Sequence, residues 1–543
     1  MKEYRIPTGL AAIQWIIWQA AGIGKSYLEY DIHRPYVWVQ KGCFLLLLIY
    51  AWCFAFYVFR NVRSGNKIIK RGLQIFALYM SILSLILVFL WPGTWSWDDI
   101  GVLASARYYD VLPWQHSMSS FFHNLFLQLI PRPGGLILVQ LVIAAVIVSY
   151  ALAEAEDVFF AGRYLTGSAI ADALIKLIPF LLPPVILYQY SGFRMGLYIY
   201  LEIFVMAFIL CMLKKPKDIS LPMLFIFGLA SGIISIWRSE GFLYAPAVAA
   251  IILTQKKDSL VLKKKLFTLA VLFVSMFVMS SFHKAKLGNS DYSVVTFLRP
   301  LAEVVRAADP VKDADLLEDI EKVVHTDVIL ENPGVDGENL LWKHDLEITE
   351  YTPEEYSAFM KAFAGLCMRY PKAFAKERIK VFIDTSAIHG RTNPTNVMDT
   401  YNLFDPQEMN TNQEEFNEWD ISFNRPVSEE LRRKAILFLA CLRSDFSERI
   451  TYRLVWDTII PIMVIAAAWI WMLVKKRWRA LIAFSAVAFR LPIVFLTAPA
   501  TWTMYYLSFY LTGYVILDLV VTGILSRIIN MSKHEVHSDG LKR

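Results

Sequence analysis

Long apolar runs separated by short polar loops dominate the hydropathy pattern of the chain. Most runs hold about 17 to 24 residues, enough for an α-helix to cross a hydrocarbon core about 30 Å thick. The runs at 9–24 and 241–254 are shorter, so either could instead be re-entrant or interfacial. We predict twelve membrane spans, at 9–24, 42–59, 72–91, 134–153, 172–188, 195–213, 219–236, 241–254, 266–282, 454–474, 480–498 and 503–525. The pattern therefore predicts an all-α polytopic membrane protein.

Composition supports the same class. The 543 residues are 56% hydrophobic and 19% charged, with a mean hydropathy of +0.43, whereas a soluble domain carries about 25% charged residues. The five cysteines are far apart in the sequence. They show neither the spacing of a zinc site nor that of a disulfide framework.

The distribution of basic residues predicts the orientation, because short cytoplasmic loops collect Lys and Arg. Four loops are strongly basic: 60–71, 214–217, 256–265 and 475–479. With twelve spans and a cytoplasmic N-terminus, all four lie inside, as does the C-terminus. The same parity places five segments outside: 92–133, 189–194, 237–240, 283–453 and 499–502.

One segment is long enough to form a domain of its own. Residues 283–453 are rich in acidic residues and mix helical patterns with turns. We predict an α or α+β domain on the outer face, inserted between the ninth and tenth spans. It separates an N-terminal transmembrane module, 1–282, from C-terminal transmembrane helices, 454–527, which a short cytoplasmic tail, 528–543, follows.

The outer loop 92–133 contains the first catalytic candidates, Asp98 and Asp99, between tryptophans. A carboxylate in a partly desolvated aromatic site can have a raised pKa and remove a proton from a hydroxyl. Alternatively, one of the pair caps a helix that begins near Ile100. Trp97 could stack on a sugar ring or simply anchor the chain at the membrane interface.

Two histidines follow in the same loop. His116 and His123 are seven residues apart and would share one face of a helix, together with Ser119 and Ser120. They could bind phosphate or sugar hydroxyls. They lack the usual ligand set of a metal site. The alternative is an interfacial amphipathic helix, and we favour a helix that is both interfacial and site-lining through His116.

Cations predicted on the outer side are candidates for binding phosphate. Arg107, Arg194 and Arg238 carry planar guanidinium groups that fit phosphate oxygens. Each could instead extend to the lipid headgroups, and Arg238 could form a surface pair with Glu240.

Several of these stretches resemble motifs of the multi-pass glycosyltransferases of the GT-C class, which includes protein mannosyltransferases and the aminoarabinose transferase of lipid A. Pro92-Gly93 with Asp98-Asp99 and then Trp114-Gln115-His116 resembles their first outer loop, and 237–241 is similar to an outer Arg-containing loop of bacterial members. Two departures are Ser117, where those proteins have proline, and the last outer loop, which has no Arg-Tyr pair.

The resemblance implies transfer of a sugar from a polyprenyl-phosphate donor to an extracytoplasmic acceptor such as a cell-wall polymer, lipid or protein, at a bacterial plasma membrane. Asp98 or Asp99 would be the general base, while Arg238 and His116 hold the phosphate. No cofactor is required, although a divalent metal is compatible with this chemistry. Nothing in the sequence resembles a glycine-rich phosphate loop, and the topology explains the basic clusters without nucleic-acid binding.

Two other function classes stay open. A transporter or lipid flippase would use charged residues or broken helices near the membrane midplane. In the predicted spans we note few charges, with Lys176 and Asp518 near helix ends. An inactive scaffold for envelope assembly is the third interpretation, and the two departures from the GT-C motifs leave it open.

Overall fold

A computed structural model describes residues 4–95, 97–112, 115–160, 165–214, 219–256, 260–287, 292–386, 426–440 and 454–540, with the backbone alone for Trp97, Tyr292 and 527–540. These residues form α-helices and short 3-10 turns, with two isolated β-bridges and no named strand among them. The α+β alternative for the outer segment is therefore not found in the described part of the chain.

The helices of the first half are α1 Arg5–Ala20, α2 Pro35–Arg63, α3 Lys67–Leu90, α4 Trp97–Arg107, α5 Met118–Leu129, α6 Pro133–Phe159, α7 Ala169–Leu177, α8 Pro183–Gln189, α9 Met195–Lys214, α10 Leu221–Ile236, α11 Tyr244–Leu253 and α12 Leu262–Leu287. Those of the second half are α13 Tyr292–Val295, α14 Leu298–Ala307, α15 Ala314–Glu321, α16 Thr326–Glu331, α17 Gly337–Lys343, α18 Pro353–Arg369, α19 Pro371–Thr385, α20 Glu429–Leu439, α21 Ile459–Val474, α22 Trp478–Ala488, α23 Arg490–Thr497 and α24 Leu507–Gly540. Four 3-10 turns, Ile23–Ser26, Ile178–Leu181, Ser239–Leu243 and Thr503–Tyr505, join some of them.

Eight helices in the described ranges are long and apolar enough to cross a membrane: Pro35–Arg63, Lys67–Leu90, Pro133–Phe159, Met195–Lys214, Leu262–Leu287, Leu454–Val474, Trp478–Thr497 and Leu507–Ser526. Each coincides with a predicted span. The described part of the chain is thus all-helical, and its helices indicate integral membrane localisation.

The other four predicted spans are not single helices of this length. The run at 9–24 forms α1, with 16 residues, and those at 219–236 and 241–254 form short apolar helices. The run at 172–188 is a pair of helices bent by 73°. Pro179, Pro183 and Pro184 lie around this bend, where proline removes backbone donors and clashes with the preceding turn.

Short-range signals explain several helix boundaries. Asn66 caps α3 by accepting hydrogen bonds from the backbone N–H groups of Ile68 and Ile69, at 3.1 and 3.2 Å. Thr352 and Glu355 form a reciprocal capping box at the start of α18. These caps satisfy backbone donors that have no partner within the helix.

A buried charge cluster joins α3, α6 and α7. Arg71 donates to both carboxylate oxygens of Glu156 at 2.6 and 2.8 Å, and Lys176 contacts Glu156 and Asp172 at 2.9 and 2.8 Å. The prediction that Arg71 belongs to the basic loop 60–71 is wrong, because Arg71 is buried inside the bundle. A buried charge needs such partners to offset the loss of hydration.

The segment 283–453, which we predict to lie outside, has a hydrophobic core of its own, which α13 to α18 and the loops between them supply. Its later part instead packs on the transmembrane helices, since Val381, Ile436 and Leu439 belong to the main core. Arg378 of α19 is fully buried and donates to the carbonyl of Ala498 at 2.9 Å. The segment is therefore attached directly to the end of the helix bundle.

Candidate functional site

The predicted outer segments meet at one end of the bundle. Thr94 donates through its backbone N–H to the carbonyl of Tyr190 at 2.8 Å, and Arg194 donates to the carbonyl of Trp237 at 3.3 Å. Gly93 adopts φ +116°, and a Cβ there would lie 2.7 Å from the Tyr190 carbonyl oxygen. Only glycine allows this close approach, which joins the segment before α4 to the loop after α8.

Two side chains hold the loop after α8 from either side of one residue. The buried carboxylate of Asp99 accepts from the backbone N–H of Gly192 at 3.0 Å, and the Nε2 of His123 lies 2.8 Å from the carbonyl oxygen of the same residue. Trp95 packs against His123 and Gly192. Its ring lies 6.3 Å from the His123 ring, and a Cβ added to Gly192 would lie 2.4 Å from it. Asp99 and His123 therefore have structural partners in this site.

Asp98 is different, because its side chain is only half-buried. Burial raises the pKa of its carboxyl, which the charge of Arg194 and a hydrogen bond with Gln115 partly counteract. Both aspartates lie in the first turn of α4, which begins at Trp97, so neither is the residue before the helix, and the expected N-cap near Ile100 is wrong. The structure thus distinguishes a clamped Asp99 from a more accessible Asp98.

His116 lies before α5 and stacks on His283 of α12. The ring centroids are 4.3 Å apart and the ring planes differ by 11°. Burial, His283 and then Arg194 lower the pKa of His116 to about 3, so this ring is neutral at physiological pH. His116 and His123 do not share a helix face, because α5 starts only at Met118 and His123 points to Gly192.

Helix α5 is not an interfacial helix. Residues around its whole circumference are buried, including Ser119, Ser120, Asn124 and Gln128, and it packs against α2, α4 and α6. Ser119 accepts a hydrogen bond from the indole of Trp237 at 3.1 Å. The helix therefore supports the site from within the protein.

Arg238 and Glu240 form a buried ion pair rather than a surface pair. A guanidinium N–H of Arg238 also points to the sulfur of Met195 at 3.0 Å, and its Cζ lies 5.8 Å from the centre of the Tyr505 ring. Arg238 is thus already committed to protein partners.

The partners that continue this pair into the bundle are not among the candidates predicted from the sequence. Arg490 of α23 contacts Glu240 at 3.4 Å and forms a closer ion pair with Glu202 of α9. The hydroxyls of Tyr244 and Ser508 donate to the Glu202 carboxylate. Arg490 and Glu202 lie inside predicted spans, so the expectation of few charges there, with Lys176 and Asp518 as the exceptions, is wrong.

The remaining candidates are outside this group or outside the described side chains. Arg107 pairs with Glu29 and lies beside the rings of Tyr27 and Tyr108, which fits a structural role at the end of α4. The side chain of Trp97 is outside the described residues. The charge of Arg194 acts on both Asp98 and His116, while Asp99 holds the Arg194 loop through Gly192 and Arg238 contacts the neighbouring Met195.

No family model, curated protein or solved structure matches this chain.

Metal ligands can be assessed in the described part of the chain, where one group, Glu321, His325 and Asp327, has three ligand atoms within 4.8 Å of one another. It is partly exposed, and Glu321 already accepts hydrogen bonds from the backbone and the hydroxyl of Thr326. This group belongs to the outer segment and not to the site around Asp98.

The arrangement around Asp98 can perform acid–base chemistry beside an anion. A half-buried carboxylate supplies a base, Arg194 supplies a positive charge, and His116 supplies a neutral imidazole. Asp99 and His123, both bonded to Gly192, fix the loop that carries Arg194 against α4. A site whose groups are held in place in this way needs little reorganisation during a reaction.

Proposed function

We propose that the protein is a membrane glycosyltransferase that moves a sugar from a polyprenyl-phosphate donor to an extracytoplasmic acceptor. The observation that carries the proposal is that two adjacent carboxylates have different environments. Asp99 is buried and bonded to Gly192, whereas Asp98 is half-buried with a raised pKa beside Arg194. A raised pKa near a cation suits a general base that works next to a phosphate.

In the proposed reaction, Asp98 accepts the proton of an acceptor hydroxyl. The hydroxyl oxygen forms a bond to the anomeric carbon of the sugar from the face opposite the phosphate. The bond between that carbon and the phosphate oxygen breaks, and the electron pair leaves with the polyprenyl phosphate. Arg194 stabilises the charge that develops on the leaving oxygen, and a single displacement inverts the sugar carbon.

Arg194 replaces Arg238 as the residue assigned to phosphate. Arg238 is buried and paired with Glu240, and releasing it would leave a charge without its partner at a cost of several kcal/mol. Arg194 is half-buried, and one of its contacts is a hydrogen bond to the Trp237 carbonyl at 3.3 Å, so its guanidinium is less enclosed than that of Arg238.

The proposed topology retains twelve spans. In addition to the eight long helices, four further units would cross the membrane. They are α1, α10, the unit Ser239–Leu253 and the bent pair 169–189. Both termini are then cytoplasmic, and the site, with the segment 283–453, faces outward. This places the acceptor and the phosphate of the flipped donor on one side.

A transporter or lipid flippase is the second candidate, and specific observations favour it. The pair Arg490–Glu202 is buried within predicted spans, and the helix pair 169–189 is bent by 73°. Broken helices and buried charges are typical of substrate pathways in transporters. However, each of these charges has protein partners, whereas a transport site needs groups that can exchange partners with a substrate.

One experiment separates the two candidates. The purified protein in liposomes is given a radiolabelled polyprenyl-phosphate sugar and a membrane extract as the source of acceptors, while lipid translocation is followed with a fluorescent polyprenyl-phosphate analogue. We expect label transfer that Asp98→Asn abolishes and Lys361→Gln, an exposed outer substitution, leaves intact. Translocation without transfer, or transfer that Asp98→Asn leaves unchanged, would overturn the proposal.

A further inference from the structure

The stacked histidines His116 and His283 are locked in one tautomer by the backbone. The Nδ1 of His283 accepts the N–H of Ser117 at 3.2 Å, and the Nδ1 of His116 accepts the N–H of Met118 at 3.3 Å. A neutral imidazole that accepts at one nitrogen carries its proton on the other. Both rings therefore carry the proton on Nε2.

These two Nε2–H groups can donate hydrogen bonds to a ligand. Within the part of the chain that the structure describes, neither nitrogen has a hydrogen-bond partner, and both side chains are only half-buried. The ring centroids are 4.3 Å apart, and both Nδ1 atoms face the adjacent N–H groups of Ser117 and Met118, which favours placing both Nε2–H groups on the other edge of the stack, where one tetrahedral group could accept from both. His123 is different, because its Nε2 is bonded to the carbonyl of Gly192.

We infer that His116 and His283 form a neutral two-donor site for the phosphoryl group of the substrate. The choice of ligand rests on the proposed function and on the charge of Arg194, which acts directly on His116. His283 lies 166 residues from Ser117, and it was not a candidate in the sequence. Metal binding through Nε2 is disfavoured, because it would require moving both protons to Nδ1 and losing both backbone hydrogen bonds.

A neutral site has a functional advantage for a leaving group. Hydrogen bonds from charged donors are roughly twice as strong as those from neutral ones. Two neutral donors with one arginine can orient the phosphate without holding the product as tightly as a set of cations would. The pair also keeps its donors in mildly acidic conditions, because neither ring needs a charge to donate.

The tautomer and the ligand can be tested by nitrogen NMR on the full chain, labelled with ¹⁵N-histidine in nanodiscs without acceptor. We expect His116 and His283 to show the Nε2–H form at pH 7.5 and to shift together when a short-chain polyprenyl monophosphate is added, while His123 does not move. Inorganic phosphate in a parallel sample tests whether the phosphoryl group alone suffices, and a shift with either probe supports the site. A protonated Nδ1, a shift with a neutral monosaccharide alone, or no shift with either phosphate would overturn it.

Matched variants separate a binding role from a structural one. His283→Asn keeps an acceptor near Nδ1 for Ser117 but removes the outer donor, and we expect affinity for the polyprenyl monophosphate to fall about tenfold. His283→Gln keeps the outer donor, and we expect a change of less than about threefold. The reverse order would show that only the contact with Ser117 matters. Binding that persists when no sugar transfer occurs would overturn the enzyme but leave this site standing.

Discussion

The carboxylate of Asp99 accepts a hydrogen bond from the backbone N–H of Gly192 at 3.0 Å, across 93 residues of sequence. This contact fixes the loop that carries Arg194 against the helix that carries Asp98. One aspartate of the pair therefore positions the cation, and in the proposed reaction its neighbour is the base.

The two aspartates should respond differently to substitution. Asp98→Asn removes the base, and we expect the transfer rate to fall about 10²–10⁴-fold with the thermal unfolding temperature nearly unchanged. Asp99→Asn retains an oxygen that can accept from Gly192, so its rate should fall less than about tenfold. Initial rates and unfolding temperatures of both variants check this. Equal losses in the two variants would contradict the division of roles.

Gly192 should not tolerate a side chain. A Cβ there would lie 2.4 Å from the Trp95 ring and 3.0 Å from the Cβ of Asp99, so Gly192→Ala should destabilise the protein by about 1–3 kcal/mol through overpacking. Gly42→Ala is the control, because nothing lies within 4 Å of a Cβ at that position in α2. Chemical unfolding in detergent should show a loss for the first variant and none for the second.

The dependence of the rate on pH should report Asp98. Its base form is lost as pH falls through its raised pKa, so the rate falls on the acid side at a higher pH than for an ordinary aspartate. Arg194 lowers that pKa, and Arg194→Gln should therefore move the acid limb to still higher pH. His116, with a pKa of about 3, does not contribute above pH 5.

Rates measured from pH 4 to pH 8 test this direction, with Lys361→Gln as the control for loss of a distant charge. An acid limb that stays in place in Arg194→Gln, or moves to lower pH, would exclude Asp98 as the titrating group.

The buried pair Arg490–Glu202 should show strong coupling. Arg490→Met leaves the Glu202 carboxylate without its cation and should cost about 3–5 kcal/mol. The double variant Arg490→Met/Glu202→Leu removes both charges and should recover most of that loss. Unfolding measurements on the two single variants and the double variant form the required cycle. Additive losses would mean that the pair does not stabilise the charges it buries.

The segment 283–453 contains a buried charge cluster around Arg299. Arg299 is buried and contacts Glu377, Asp336 and Glu338 at 2.7, 3.0 and 3.2 Å. Arg299→Met leaves these carboxylates facing one another and should destabilise the segment by about 3–5 kcal/mol. Hydrogen exchange of α14, α17 and α19 in the full protein would detect it. Arg433→Met, an exposed position, should leave exchange unchanged.

The sequence predicted what depends on local pattern. The long apolar runs gave the eight spans, because hydropathy averages over about twenty residues. The same averaging hid Arg490, a single charge in an apolar run, and its partner Glu202. His283 could not be found either, since its pairing with His116 depends on how α12 packs beside the loop after α4. Asp98 and Asp99 were identified together, but only the contact with Gly192 separates their roles.

The contact of Arg432 with Gly93 changes how the outer segment should be regarded. Arg432 of α20 is buried and donates to the Gly93 carbonyl at 2.7 Å, and α20 packs against α3 and α8. The segment thus supplies part of the scaffold for the turn that leads to Asp98. It is not an interchangeable module, and a foreign domain grafted in place of this segment would need an arginine that donates to the same carbonyl.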